Sequence, residues 1–150
     1  MIQIKRTYEP PARGDGRRIL VERLWPRGMK KQALAADAWM KDVAPSTELR
    51  KWFDHREERW EEFRRRYRGE LRANPGNWKP ILEADSRGSV TLLYSAHDTQ
   101  HNSAVVLASY LSGRKSTATD RKKRRVGRQE STSSKSRANP VKRGRLRSSR

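Results

Sequence analysis

The chain has 150 residues, a usual length for one domain, and a formal net charge of +19. It contains no cysteine, which excludes disulfide bonds, thiolate metal ligands and a cysteine nucleophile. No apolar run approaches the ~20 residues that a membrane helix needs, and the N-terminus lacks the apolar segment of a signal peptide. We therefore expect a soluble, cytoplasmic protein with no membrane partner.

The charge is concentrated at the C-terminal end of the chain. Residues 113–150 contain 15 Lys and Arg but only 2 Asp and Glu, and all the aromatic residues lie before them. A segment without aromatic and almost without aliphatic side chains cannot bury enough apolar surface to offset the entropy of ordering. The sequence thus predicts a folded domain over residues 1–112 and a disordered basic tail over residues 113–150.

The first half of the domain predicts three strands with loops between them. Alternation in Ile2–Arg6 predicts a short strand, and prolines and glycines from Pro10 to Gly16 predict a loop. A β-rich run from Arg18 to Trp25 predicts a second strand that Pro26 ends. Lys30–Ala44 is ambiguous between helix and strand, and we interpret it as one helical turn followed by a strand.

The second half predicts four helices and one further strand. In chain order these are a short helix that Ser46 caps and that reaches Phe53, a long helix over Glu57–Arg72, a helix over Trp78–Arg87, the apolar strand Val90–Tyr94, and a helix over Asn102–Leu111 that Gly113 ends. Alternating strands and helices favour an α/β fold. We expect a small three-layer domain with a three- or four-stranded, mostly parallel sheet.

Polar side chains follow two of the predicted strands. Ligands of parallel α/β sheets bind beyond the carboxyl ends of the strands, so these side chains are the candidate site. Guanidinium groups and the free N–H groups at a helix start suit a phosphate or a carboxylate, which predicts an anionic small-molecule ligand. The candidate ligand-binding residues are Arg23, Trp25, Arg27, Ser95 and Asn102.

Three further residues could give this pocket a catalytic function. His101 and His55 are candidate acid–base groups because imidazole titrates near neutral pH, and Asp98 would orient a histidine. Whether the protein is an enzyme stays open, as does its oligomeric state. His97 and His101 have the i, i+4 spacing of a helical metal chelate with Asp98, but they precede the helix, and we expect neither a metal nor a cofactor.

Each candidate also has a structural interpretation. Arg23 and Arg27 could fasten loops by pairing with carboxylates, Asp98 could only cap the last helix, and His55 could be no more than a residue at a helix terminus. Most tryptophans would then be core residues, although a tryptophan-rich surface that docks another protein is a third possibility.

The basic tail predicts a second function. Arg121, Lys122, Lys123, Arg124 and Arg125 form a dense cationic cluster that would bind nucleic acid without sequence preference and with strong salt dependence. The alternative is a solvated tail that affects only solubility. The cluster also matches a nuclear-import motif, a pattern with frequent false matches.

Three blocks of residues carry a resemblance to a known family: Glu22–Gly28, the stretch from Ala44 to His55, and the stretch from Thr91 to Asn102. In order and spacing they resemble the YeaO-like branch of domain of unknown function 488. The resemblance implies a small bacterial or archaeal α/β domain over residues 1–112 and names no substrate. Other branches carry a Cys-His-Arg-type cluster after the last strand, where this chain has His101 and Asn102, so it implies no thiol chemistry here.

Overall fold

Four parallel strands form one sheet in the computed structural model, which describes residues 1–115. They are β1 (Ile2–Arg6), β2 (Arg17–Leu20), β3 (Ala38–Trp39) and β4 (Val90–Tyr94). Their order across the sheet is β1, β4, β2, β3. The last strand in sequence is therefore central, which explains why all five of its residues are buried. The predicted parallel α/β fold is confirmed.

Five helices accompany the sheet within the described part of the chain. They are α1 (Lys31–Leu34), α2 (Thr47–Phe53), α3 (Trp60–Ala73), α4 (Lys79–Arg87) and α5 (103–115). Ser46 caps α2 as expected, since its Oγ accepts a hydrogen bond from the Leu49 N–H at 3.2 Å. The short helix α1 and strand β3 confirm the interpretation of Lys30–Ala44.

The two faces of the sheet are covered unequally. Alternate residues of β2 and β4, among them Ile19 and Leu92, join a large core with the aromatic face of α3 and with α5. The intervening residues Leu20 and Leu93 meet only Leu34 of α1 and a few loop side chains. The second covering layer is thus thin, while the first buries most of the apolar surface.

A buried ion pair completes the thinner face. Asp15 and Arg18 are each 5% exposed and bond to each other, and Lys5 Nζ lies 3.2 Å from Asp15 Oδ1. Arg18 also donates to the carbonyls of Leu34 and Ala35. These charges satisfy one another and hold α1 against the sheet.

Strand β2 ends earlier than its sequence predicts. The predicted strand reached Trp25, but pairing stops at Leu20, and only the Val21 N–H makes one more bond, to the Leu93 carbonyl at 3.2 Å. Tertiary contacts take over from there, because the Glu22 carboxylate accepts from the Ser95 N–H. The segment after β2 is consequently a loop that can line a cavity.

The last helix continues beyond Gly113, which was predicted to end it. Helix α5 runs through Lys115, and the compact unit that contains it is Met1–Lys115. A helical glycine costs about 1 kcal/mol, and contacts beyond it offset this cost. Arg114 lies over the Tyr110 ring at 5.1 Å, and Lys115 Nζ lies 2.8 Å from Asp85 Oδ2.

The predicted nucleic-acid-binding cluster, residues 121–125, lies outside the described residues, as does most of the predicted tail. Within the described part of the chain, none of the helices has the length and apolar character needed to cross a bilayer.

Candidate functional site

A cavity of about 570 Å³ opens at the carboxyl ends of β2 and β4. Most of its wall is formed by the loop after β2, the loop after β4 and the region around α2, with Tyr8 after β1 and Phe63 of α3 completing it. Its lining includes Glu22, Arg23, Trp25, Arg27, Arg50, Phe53, His55, Phe63, Ser95, Asp98 and Asn102. Parallel neighbouring strands bring these segments together, since β2 and β4 end at the same edge of the sheet.

Much of the cavity wall is apolar. The rings of Phe53 and Phe63 stack with centroids 4.3 Å apart, and both are almost fully buried. Trp25, Leu24 and Pro45 add further apolar surface. An apolar wall interrupted by a few polar groups is typical of small-molecule sites.

Arg23 is engaged with the backbone. Its Nε donates to the Pro45 carbonyl at 2.7 Å and its Nη2 to the Ala44 carbonyl at 3.4 Å. Asp42 lies at the ion-pair limit, 4.0 Å away. Arg23 thus fastens the loop after β2 to the segment before α2, as its structural interpretation expected. Its partners, however, are mainly backbone carbonyls and not the carboxylates that were expected.

Arg27 and Arg50 differ from Arg23. Both are exposed residues that line the cavity. Among residues 1–115, neither guanidinium makes a hydrogen bond or an ion pair. The bonds of these two residues are made by their backbones: the Arg27 carbonyl accepts from the Tyr8 hydroxyl at 3.2 Å, and the Arg50 N–H and carbonyl bond to Ser46 and Asp54. Two guanidinium groups with unused donors therefore face the same space.

His55 lies on the cavity wall in an unusual backbone conformation. Asp54 and His55 both have positive φ, 47° and 53°, directly after α2. Asp and His tolerate this left-handed region better than most residues, yet it is rarely adopted by two in succession. The His55 ring packs against Phe53 with centroids 6.1 Å apart. The sharp turn thus places an imidazole beside the apolar wall.

Glu22 is one of two acidic residues on the cavity wall, the other being Asp98. It is half-buried, and its Oε1 accepts a hydrogen bond from the Ser95 N–H at 3.0 Å, which links the two strand ends. Burial raises the pKa of Glu22, and the Ser95 N–H and the charge of Arg50 offset this only in part.

Asp98 organises the start of α5. Its Oδ1 accepts from the N–H groups of Gln100 and His101, both at 2.9 Å, and Asn102 Nδ2 donates to its carbonyl. These backbone bonds, followed by the bond from His101, hold the pKa of Asp98 below its usual value. Asn102 is buried and caps α5 through its Oδ1, which accepts from the Val105 N–H. Both line the cavity while fulfilling structural functions.

Among the pocket residues predicted within 1–115, His101 alone does not line the cavity. Its Nδ1 lies 2.9 Å from Asp98 Oδ2 and 3.5 Å from Glu57 Oε1, and its ring contacts Trp60 edge-on. By donor type Glu57, Asp98 and His101 could hold a metal ion, since their ligating atoms lie within 4.8 Å of one another. His97 is not part of this group, and its Nδ1 lies 3.3 Å from Arg6 Nη2.

Among the tryptophans, only Trp78 is buried, and Trp25, Trp52 and Trp60 are partly buried. Trp39 is 37% exposed, its ring lies edge-on to that of Trp25 with centroids 5.4 Å apart, and its Nε1 donates to the Glu22 carbonyl. The docking of another protein on a tryptophan-rich surface therefore stays a prediction.

Sequence reasoning missed Glu22 and Arg50 as site residues. Glu22 was not among the predicted site residues, although its position two residues after β2, bonded to the residue that follows β4, marks it as a strand-end residue. Arg50 lies four residues after the cap Ser46, within an ordinary helix, and no local signal shows that its face meets the cavity.

The fold and the cavity define a small parallel α/β domain with a polar, aromatic-lined recess at its carboxyl edge. The chain belongs to the DUF488 family: the family model described as "Inactive DUF488-N3 subclade" matches residues 1–134, which confirms the resemblance seen in the sequence. The match extends beyond residue 112, where that resemblance ended.

Curated relatives match about three quarters of the chain. It is 47% identical to "Uncharacterized protein YeaO" of Escherichia coli (strain K12) over 110 residues, 73% of this chain and 96% of the relative. It is 38% identical to "Uncharacterized protein Mb3100c" of Mycobacterium bovis over 113 residues, 75% of this chain and 95% of the relative. No solved structure matches the chain.

Proposed function

We propose that the cavity binds a small anionic molecule. The observation that carries this proposal is the presence of Arg27 and Arg50 on its wall, where neither guanidinium has a hydrogen-bond or ion-pair partner among residues 1–115. Guanidinium groups with unused donors bind carboxylates and phosphates well, through two parallel N–H donors. Arg23 contributes by holding the wall in place, because its own donors are occupied.

The size and chemistry of the cavity support the same proposal. Its volume of about 570 Å³ lies within the range of known small-molecule sites, about 300–1,000 Å³. Trp25 and Leu24, which are less buried than Phe53 and Phe63, offer a surface for an apolar or ring-shaped body of the ligand. The ligand would thus place its anionic end at the arginines and its body on the aromatic wall.

Binding is favoured over catalysis in this proposal. The family is described as an inactive subclade, which supports a binding domain without turnover. If the ligand is chemically altered, His55 is the predicted acid–base residue that lines the cavity and could transfer a proton; His97 also lines it, but its Nδ1 lies 3.3 Å from Arg6 Nη2. Asp98 and His101 would then act indirectly, by organising the start of α5.

A titration with inorganic phosphate and with simple carboxylates tests the proposal. We expect saturable binding that Arg27→Ala and Arg50→Ala each weaken on the order of tenfold, the effect of losing one charge-assisted contact. Lys51→Ala is the matched control, since Lys51 neighbours Arg50 on α2 and does not line the cavity. Equal binding by the unchanged protein and all three variants, or no saturable binding by the unchanged protein, would reject the proposal.

A second proposed function, non-specific nucleic-acid binding, rests on the sequence beyond residue 115. The composition of residues 121–125 supports it, because five consecutive cations are an electrostatic footprint for phosphate backbones. Replacing all five with serine in the full chain should weaken retention on duplex DNA and flatten its salt dependence. Unchanged retention and salt slope would exclude this function for the cluster.

A further inference from the structure

Glu22 is the feature of the cavity that anion binding does not explain. A carboxylate in an anion-binding cavity repels the ligand, and burial away from water adds a further cost. Glu22 nevertheless lies where the loops after β2 and β4 meet. It is two residues beyond β2, and its side chain accepts a hydrogen bond from the first residue after β4. Its position therefore calls for a favourable partner.

The protein provides only part of the hydrogen bonding that the Glu22 carboxylate can accept. Two carboxylate oxygens offer about four acceptor positions. Among residues 1–115, the Ser95 N–H is the only donor to the Glu22 side chain, and Glu22 forms no ion pair with a lysine, arginine or histidine. Arg50 and His55 line the same cavity and influence Glu22 only through their charges. Most of the accepting capacity of Glu22 is left for a donor from elsewhere.

The cavity thus contains both signs of charge within one recess. Arg27 and Arg50 have unused donors, Glu22 has unused acceptors, and the rings of Phe53 and Phe63 form part of the wall that they share. A ligand that is only anionic would satisfy the arginines and oppose Glu22. A ligand that also carries an N–H donor would satisfy both, and a site with buried polar groups discriminates strongly against analogues that leave them unpaired.

We propose that the cavity selects small molecules that carry a protonated amine as well as an anionic group, and that Glu22 is the specificity-determining residue that binds the amine. This inference rests on the proposed function, because the arginines must bind the anionic end. The positioning of Glu22 by the Ser95 N–H then sets the distance between the two ends that a ligand has to span.

Matched pairs of compounds test the inference. Phosphoethanolamine and ethyl phosphate differ by one ammonium group, as do 4-aminobutyrate and butyrate. Two-dimensional NMR titration of the full chain measures weak affinities, and the Ser95 amide reports on its bond to Glu22. We expect the amine-bearing member of at least one pair to bind about tenfold or more tightly, as a hydrogen bond to a charged group allows.

Substitution of Glu22 tests whether this residue is responsible for the preference for amine-bearing compounds. Glu22→Gln keeps an oxygen that can accept from the Ser95 N–H, and it should abolish the preference while leaving ethyl phosphate binding unchanged or stronger. Glu58→Gln, which removes an exposed acid outside the cavity, should keep the preference. A preference that survives Glu22→Gln would overturn the inference.

The two proposals fail in distinguishable ways. If ethyl phosphate binds, depends on Arg27 and Arg50, and binds as tightly as phosphoethanolamine, with butyrate and 4-aminobutyrate equal as well, the amine selectivity is wrong and the anion site stands. If none of the four compounds binds, both proposals are wrong.

Discussion

Replacement of Gly16 by alanine should destabilise the protein severely. Gly16 lies just before β2 with φ of +62° and ψ of −135°, a combination that L residues rarely adopt. A Cβ atom there would lie 2.1 Å from the Ser89 carbonyl oxygen and 2.7 Å from the Ser89 carbonyl carbon. These are backbone atoms that a side-chain rotation cannot move away, so β2 and the start of β4 would have to separate.

The cost has three contributions. The strained backbone conformation costs about 1–3 kcal/mol, and overpacking typically costs about 1–3 kcal/mol more. The separation also breaks the hydrogen bond from the Arg17 N–H to the Ser89 oxygen, now 2.9 Å, which contributes about 1 kcal/mol. We expect Gly16→Ala to lower the free energy of unfolding by about 4 kcal/mol, a large part of the 5–15 kcal/mol typical of domains.

Urea denaturation followed by tryptophan fluorescence measures this loss. Gly14→Ala is the matched control, because a Cβ at Gly14 meets no atom within 4 Å, and it should change stability by less than about 0.5 kcal/mol. If Gly16→Ala unfolds at the same urea concentration as the control, the close approach of Gly16 to Ser89 and the reasoning built on it are refuted.

Three further substitutions test the contacts that hold the domain. Asp85, whose side chain is 2% exposed, accepts from two ammonium groups, and Asp85→Asn should cost about 2 kcal/mol at neutral pH. Burial alone would raise the pKa of Asp85, but the bonds to the two ammonium groups outweigh burial and lower the pKa. The stability contributed by Asp85 is therefore full above the ordinary pKa of 3.8 and is lost as the pH falls below that value. A difference in unfolding free energy between Asp85→Asn and the unchanged protein that persists at low pH would contradict this. Tyr67→Phe should cost about 1–2 kcal/mol in thermal unfolding, because the buried hydroxyl donates to the Val43 carbonyl at 2.7 Å, and an unchanged melting temperature would be inconsistent with that bond. Arg23→Ala should cost about 2 kcal/mol in urea by releasing the Pro45 carbonyl, whereas equal stability would mean that Arg23 does not fasten the wall.

Local pattern was sufficient to predict most elements of the fold. The aromatic spacing of α3 and the continuous apolar run of β4 are properties of adjacent residues, and both elements lie where they were expected. The end of β2 was wrong because it depends on a contact between Glu22 and Ser95, which are far apart in the chain. The end of α5 was wrong for the same reason, since Asp85 retains the turn beyond Gly113.

In the candidate site too, some residues could be predicted from the local sequence, whereas the placement of others depends on tertiary packing. Arg27 and Ser95 line the cavity because they follow strands that end at one edge, a consequence of parallel topology. The direction of the His101 side chain depends on the turn that Asp98 organises, and its spacing in the sequence does not reveal that it turns toward Glu57. Arg50 could not be found from the sequence, because its place on the cavity depends on how α2 packs.

The buried pair of Asp15 and Arg18 restricts how this domain can change during evolution. Losing Asp15 leaves the buried Arg18 guanidinium without a counter-charge, at a cost of about 3–5 kcal/mol, whereas losing Arg18 leaves Asp15 paired with Lys5. Single replacements of the acid should therefore be purged by selection. Across homologous sequences, the arginine is expected only where the acid is retained.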